Sequence, residues 1–135
     1  MQYVYIVVIG LHVVAGVFWA GTTVTLARDP EIKAERFIRP QLGAAGMVFL
    51  TGALLWYLFH GAYFGSMEMV LALGILTASA AAGVLGAMVR APSRRLAGAS
   101  ADIETQLRAR MAMGERIAAR LLAITVLCMA VARMV

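Results

Sequence analysis

The sequence predicts an all-α integral membrane protein, a four-helix bundle with both termini on the outside. Three observations carry that prediction. Of the 135 residues, 62% are hydrophobic and only 14% are charged, against about 45–50% and about 25% in an ordinary soluble domain. A chain this short cannot hide so much apolar surface in its own core, so lipid must cover part of it. The charges are gathered into a few short segments, leaving apolar stretches close to the roughly 20 residues a helix needs to cross the hydrocarbon.

Taken in order, the spans fall at about 3–27, 41–62, 68–89 and 112–133 in one transmembrane domain covering 1–135. The first contains no charge from Tyr3 to Ala27. It has no basic region ahead of it and no small-residue cleavage site, so it reads as a helix kept in the mature protein. "RDP" at 28–30 and "RP" at 39–40 break the chain before the second span, and "HGAYFGS" at 60–66 breaks it after. The third span repeats Gly74, Ala78, Ala82 and Gly86 every four residues. Such a stripe of small residues lets helices approach closely, either inside the bundle, the preferred use here, or in a dimer. The fourth helix starts early, with Ser100 and Asp102 as candidate caps. Ile103, Leu107, Met111, Gly114, Ala118 and Leu121 recur at helical spacing, and Glu104 with Arg108 makes a favourable i,i+4 pair.

Charge sets the expected orientation. Segment 28–39 carries Arg28, Lys33, Arg36 and Arg39, and segment 90–110 carries Arg90, Arg94, Arg95, Arg108 and Arg110, whereas 61–66 carries no charge. Basic short loops stay in the cytoplasm, so both termini and the 61–66 turn are expected outside. Tyr3, Tyr5, Trp56, Tyr57, Tyr63 and Phe64 then fall near the outer interface, where aromatic belts lie. The net charge of +5 is thus a topology signal. No basic stripe is interleaved with aromatics, and no nucleic-acid partner is expected. Cys128 is the only cysteine, which excludes an intrachain disulfide and a CxxC redox pair. Eleven arginines beside the single Lys33, with abundant Ala and Gly, suggest a bacterium with a GC-rich genome, hence its inner (plasma) membrane.

His12 is the outlier. An imidazole in an uncharged apolar helix costs free energy unless something there uses it. Tyr5, Ile9, His12, Gly16, Trp19 and Thr23 share one helical stripe. Gly16 removes bulk one turn from the imidazole, and a gap bounded by Trp19 is expected to admit a flat ring. Imidazole is a standard axial ligand of haem iron. The plainer alternative is a hydrogen bond to a neighbouring helix, through Thr51, Thr77 or Thr125. Arg116 and Arg120, one turn apart, are candidates to neutralise a cofactor carboxylate, or else a solvated face with Arg120 snorkelling to headgroups.

His60, near the outer surface, is the candidate second metal ligand. With it a haem iron is closed and suited to electron transfer, and without it a site stays open to a small ligand. The plainer reading of His60 is an interfacial histidine. Imidazole and thioether also suit copper(I), and Met67 and Met69, with Met1, lie near His60 in sequence or at the same end. Methionine is also ordinary core filler. Glu68 stands at the start of the third helix, where a carboxylate complements the dipole. No HExxH, GxSxG, phosphate-cradling glycine loop or paired buried carboxylates are recognisable.

"LHVVAGVFWAG" resembles the first helix of the CopD-like and HemJ-like membrane proteins, small bundles whose first span carries a histidine, a tryptophan seven residues on and then small residues. His12, Trp19, Ala20 and Gly21 match. The similarity continues at "FIRP", 37–40, and at "FLTGALL", 49–55, where Thr51 and Gly52 match a recurring Thr-Gly. The resemblance covers the architecture as a whole and about two helices at motif level. It implies haem b or copper. HemJ-like proteins oxidise protoporphyrinogen and pair the helix-1 histidine with a lysine in the third helix. No lysine stands there in this chain, which argues against that activity. CopD-like proteins are linked to copper handling. The expected function is haem b binding through His12, with electron transfer or membrane redox chemistry, as a homodimer with an unidentified redox partner. The alternatives are a copper-transport or copper-resistance component and a structural subunit of a membrane complex.

Overall fold

The computed structural model describes residues 1–135, which form helices joined by short turns, with no strand. Helix α1 runs Gln2–Arg28, α2 Ile38–Phe59, α3 Ser66–Arg94 and α4 Ala101–Val131, the last prolonged by a 3-10 turn at Ala132–Met134. A short 3-10 turn, Ala34–Arg36, lies in the α1–α2 connection. All four helices are long and apolar enough to cross a membrane. Only 25 of 135 residues are buried, while Val14, Val17, Leu50, Leu76 and Leu127 stand on the outer surface. Water would not tolerate that much exposed hydrocarbon. The protein is an all-α, multi-pass membrane protein.

Helix α1 lies against α2, α3 against α4, and α1 also touches α4. The packed core gathers Trp19 and Leu26 from α1, Ile38 and Ala45 from α2, Ala81, Leu85 and Val89 from α3, and Met111, Ala118 and Leu122 from α4. These residues belong to the half of the bundle nearer the charged connections, here called the charged end. The opposite, aromatic end is more thinly covered, with Tyr3, Val4, Ile6 and Val7 all exposed.

Part of the small-residue stripe of α3 serves the inside of the bundle, whereas Gly86 has open space where a Cβ would stand. Gly74 and Ala78 are buried, and a Cβ on Gly74 would stand 3.2 Å from that of Cys128. Gly114 answers from α4, where a Cβ would come within 2.7 Å of Met88 Cβ. Helix α3 reaches further than the predicted span because it passes through a π turn at Leu85–Arg90. There the Ala91 N–H donates to the Gly86 carbonyl, five residues back. Pro92 follows, with no N–H of its own and a ring that crowds the preceding turn, and a widened turn accommodates it without ending the helix.

The start of α4 is fixed as its sequence suggests. Ser100 Oγ accepts the Ile103 N–H at 3.5 Å, and the Arg108 guanidinium donates to Glu104 at 3.1 Å. The same guanidinium also donates to both Glu35 oxygens, at 3.0 and 3.1 Å. This bidentate pair ties α4 to the turn before α2. Burial is the largest single influence and works against ionisation of Glu35, but the hydrogen bonds from Arg108, a backbone hydrogen bond and the charges of Arg108 and Lys33 together outweigh it and hold the carboxyl below the ordinary carboxylate range.

Candidate functional site: a tethered histidine and a buried carboxyl

His12 faces α2. Its Nδ1 lies 2.9 Å from Thr51 Oγ1. That hydroxyl has a single hydrogen, which it donates to the Met47 carbonyl at 2.6 Å. Oγ1 therefore accepts from His12, so Nδ1 carries the ring proton and Nε2 keeps its lone pair. Nε2 has no hydrogen-bond partner in the chain and is not sealed inside it. Gly52 makes the approach feasible, since a Cβ there would meet His12 Cε1 at 3.2 Å. The Thr51-Gly52 pair thus does two tasks, one polar and one steric.

The gap expected beside the imidazole is not found in the single chain. Val48 of α2 packs over Gly16, 3.9 Å from where its Cβ would be. Trp19 is 1% exposed, and its ring lies 6.1 Å from that of Phe49. The space released by glycine is filled by α2, and Trp19 belongs to the core rather than to the wall of an open slot. A cavity lined by Phe18, Thr22, Leu26 and Phe37 and another lined by Leu26, Arg108 and Glu115 lie toward the charged end, and neither is lined by His12.

His60 forms a different cluster. It caps α2, stacks flat on Trp56 with ring centroids 4.5 Å apart, and approaches Glu68 with Nε2 4.0 Å from Oε1. Glu68 Oε2 accepts the Gly65 N–H at 2.8 Å and so caps α3, as expected of a carboxylate there. His60 lies nine residues beyond Thr51 on α2, roughly 13 Å along the axis. The structure does not bring His60 to His12. Met67 is half-buried while Met1 and Met69 point outward, and no group of three His, Cys, Asp or Glu side chains is placed to hold a metal ion. Arg116 and Arg120 are both exposed, on the outer face of α4, and neither pairs with a carboxylate.

A second polar constellation escapes the sequence reading. Glu115 and Gln41, 1% and 0% exposed, meet inside the bundle with Thr23. Gln41 Nε2 donates to Glu115 Oε2 and to Thr23 Oγ1, each at 3.1 Å, and Thr23 donates to the Trp19 carbonyl at 2.7 Å. Glu115 Oε1, Gln41 Oε1 and Trp19 Nε1 are buried without partners. The signal was present in the spacing. Glu115 stands four residues after Met111 and three before Ala118, on the same buried stripe, while Thr23 and Gln41 are polar residues in uncharged apolar runs.

No protein-family model matches the chain, nor does any curated protein or solved structure.

Proposed function

We propose that the protein binds haem b through His12 in a bacterial inner membrane, with the charged end in the cytoplasm, and serves electron transfer or membrane redox chemistry. The observation that supports this is the tethering of His12. Histidines that bind metal commonly donate their other ring N–H to a fixed acceptor, which sets the tautomer and the ring orientation. Thr51 is such an acceptor, and it leaves Nε2 free. The imidazole therefore fits an axial ligand. The single chain does not wrap a macrocycle, so the faces of α1 and α2 around His12 would form one wall and a second copy the other. When bound, haem b supplies one-electron chemistry. The chain's own part is to hold Nε2 in position.

Arg116 and Arg120, exposed on α4, are assigned to the headgroup region rather than to the cofactor. His60, held by Trp56 and Glu68, is left out of the ligand set.

The test is the visible spectrum of the protein purified in detergent after expression with ample haem, or after addition of hemin. A Soret band is expected in the wild type and in His60→Ala. His12→Ala should lose it. Thr51→Val keeps the ligand but removes its tether, and should weaken haem binding about 10–100-fold. An unchanged spectrum in His12→Ala would sink the proposal. A colourless wild type that binds copper(I) would favour the CopD-like alternative.

A further inference from the structure

Glu115 is an ionisable group packed among α1, α2 and α3 with no fixed counter-charge. No Lys, Arg or His lies within 4.0 Å of its carboxyl. The groups brought to it are Gln41 from α2 and, through Gln41, Thr23 from α1. Helix α3 sets Met88 and Val89 against the neighbouring Gly114. On its own helix Arg116 points outward, and Arg108 is engaged by Glu35 and Glu104. A carboxyl so placed is costly unless function uses it.

The hydrogen bonds define what is missing. Both hydrogens of the Gln41 amide are spent, one on Glu115 Oε2 and one on Thr23 Oγ1. Glu115 Oε1 and Gln41 Oε1 are thus two buried acceptors with nothing to accept. A cation supplies what they lack, and the smallest is the proton. A small cavity of about 20 Å³ is lined by Pro30, Ala34, Arg108, Met111, Ala112 and Glu115. Pro30 is exposed and Arg108 is partly so, whereas Glu115 is buried. The space suits about one water, a stepping point between Arg108 and Glu115, which lie seven residues, roughly 10 Å, apart along α4.

We propose that Glu115 is a membrane-embedded proton-binding site, loaded from the charged end of the bundle through the cavity beneath Arg108. A hydronium or water-borne proton enters the cavity, an O–H bond forms at Glu115 Oε1, and water is left behind. Gln41 holds the other carboxyl oxygen and so fixes the group in both states. None of this draws on His12 or on a bound cofactor.

The test is infrared difference spectroscopy of the full chain in liposomes, titrated with pH in potassium-free and sodium-free buffer. The wild type should show a protonated-carboxyl C=O band that bleaches as pH rises, and Glu115→Gln should lack it. Gln41→Leu, which removes the hydrogen bond to Oε2, should keep the band at a higher frequency. It also serves if Glu115→Gln fails to fold. Ala112→Phe, which fills the cavity, should slow deuterium exchange of the band at least tenfold. A titration identical in the wild type and Glu115→Gln would overturn the site. So would an unmoved band in Gln41→Leu. Bleaching by sodium at constant pH would assign the site to a metal cation and overturn the proton. Unchanged exchange in Ala112→Phe would overturn the route.

Discussion

At the scale of single residues, the bundle uses glycine in two distinct ways. Gly114 lets backbones meet, because a Cβ there would collide with Met88 Cβ at 2.7 Å. Gly52 makes room for the His12 ring, with Cε1 3.2 Å from the absent Cβ. Gly46 faces open space. The three positions should therefore separate. Gly114→Ala should destabilise the protein by about 1–3 kcal/mol through overpacking. Gly52→Ala should cost less stability but displace the imidazole and weaken ligand binding at Nε2. Gly46→Ala should be neutral or stabilising by up to about 1 kcal/mol, from helix propensity. Thermal unfolding in detergent, read beside the Soret absorbance, measures both effects; equal losses in Gly114→Ala and Gly46→Ala would refute the packing account. At this scale the sequence was informative where chemistry stood out against an apolar background. His12 and the possibility of its bond to Thr51 could be read directly. Glu115 was harder to read, because it sits beside Arg116 in a segment already rich in charge; its place on the Met111–Ala118 stripe points inward, and packing shows that its side chain turns in while the arginine turns out.

At the scale of elements, the spans were legible from length and composition, and the ends of the helices less so. Pro92 would ordinarily mark the end of a helix, and the π turn before it is a geometric remedy that periodicity does not display. The tie between Glu35 and Arg108 is likewise tertiary, joining residues 73 apart, whereas the local Glu104–Arg108 pair follows from spacing alone. This tie gives a signed pH dependence. Because the folded-state carboxyl of Glu35 is held below its ordinary value, it binds protons less readily when folded than when unfolded. Its contribution to stability is complete above the ordinary carboxylate range and is lost as pH falls through its folded-state value. The pair is part-exposed, and pairs of that kind contribute about 0.2–1 kcal/mol, less at high salt. Glu35→Gln should accordingly lower the unfolding temperature slightly at neutral pH and converge with the wild type in acid. A difference that persists unchanged at acidic pH would show that Glu35 acts through packing instead.

At the scale of the whole molecule, the distribution of the core bears on assembly. The charged half is knit together by Trp19, Leu85, Met111 and their neighbours. The half that carries His12 leaves Leu11, Val13 and Val14 on the surface, beside the imidazole in sequence. Lipid can cover such a face, but lipid cannot position a planar cofactor against one nitrogen. A symmetric second copy can, by presenting the same α1–α2 surface across a two-fold axis. The expectation is a homodimer carrying one haem per protomer, with His12 of each chain bound to its own iron. Native mass spectrometry from detergent should give the dimer mass, and a pyridine haemochrome assay the haem content. If the proposed haem lies in the dimer contact, His12→Ala should remove it and lower the dimer fraction. Leu11→Arg, placed on the exposed face, should split the dimer and release haem together, although it leaves the ligand in place. A monomer that keeps a full complement of haem would defeat the shared-wall arrangement and leave His12 as an axial ligand on a lipid-facing surface.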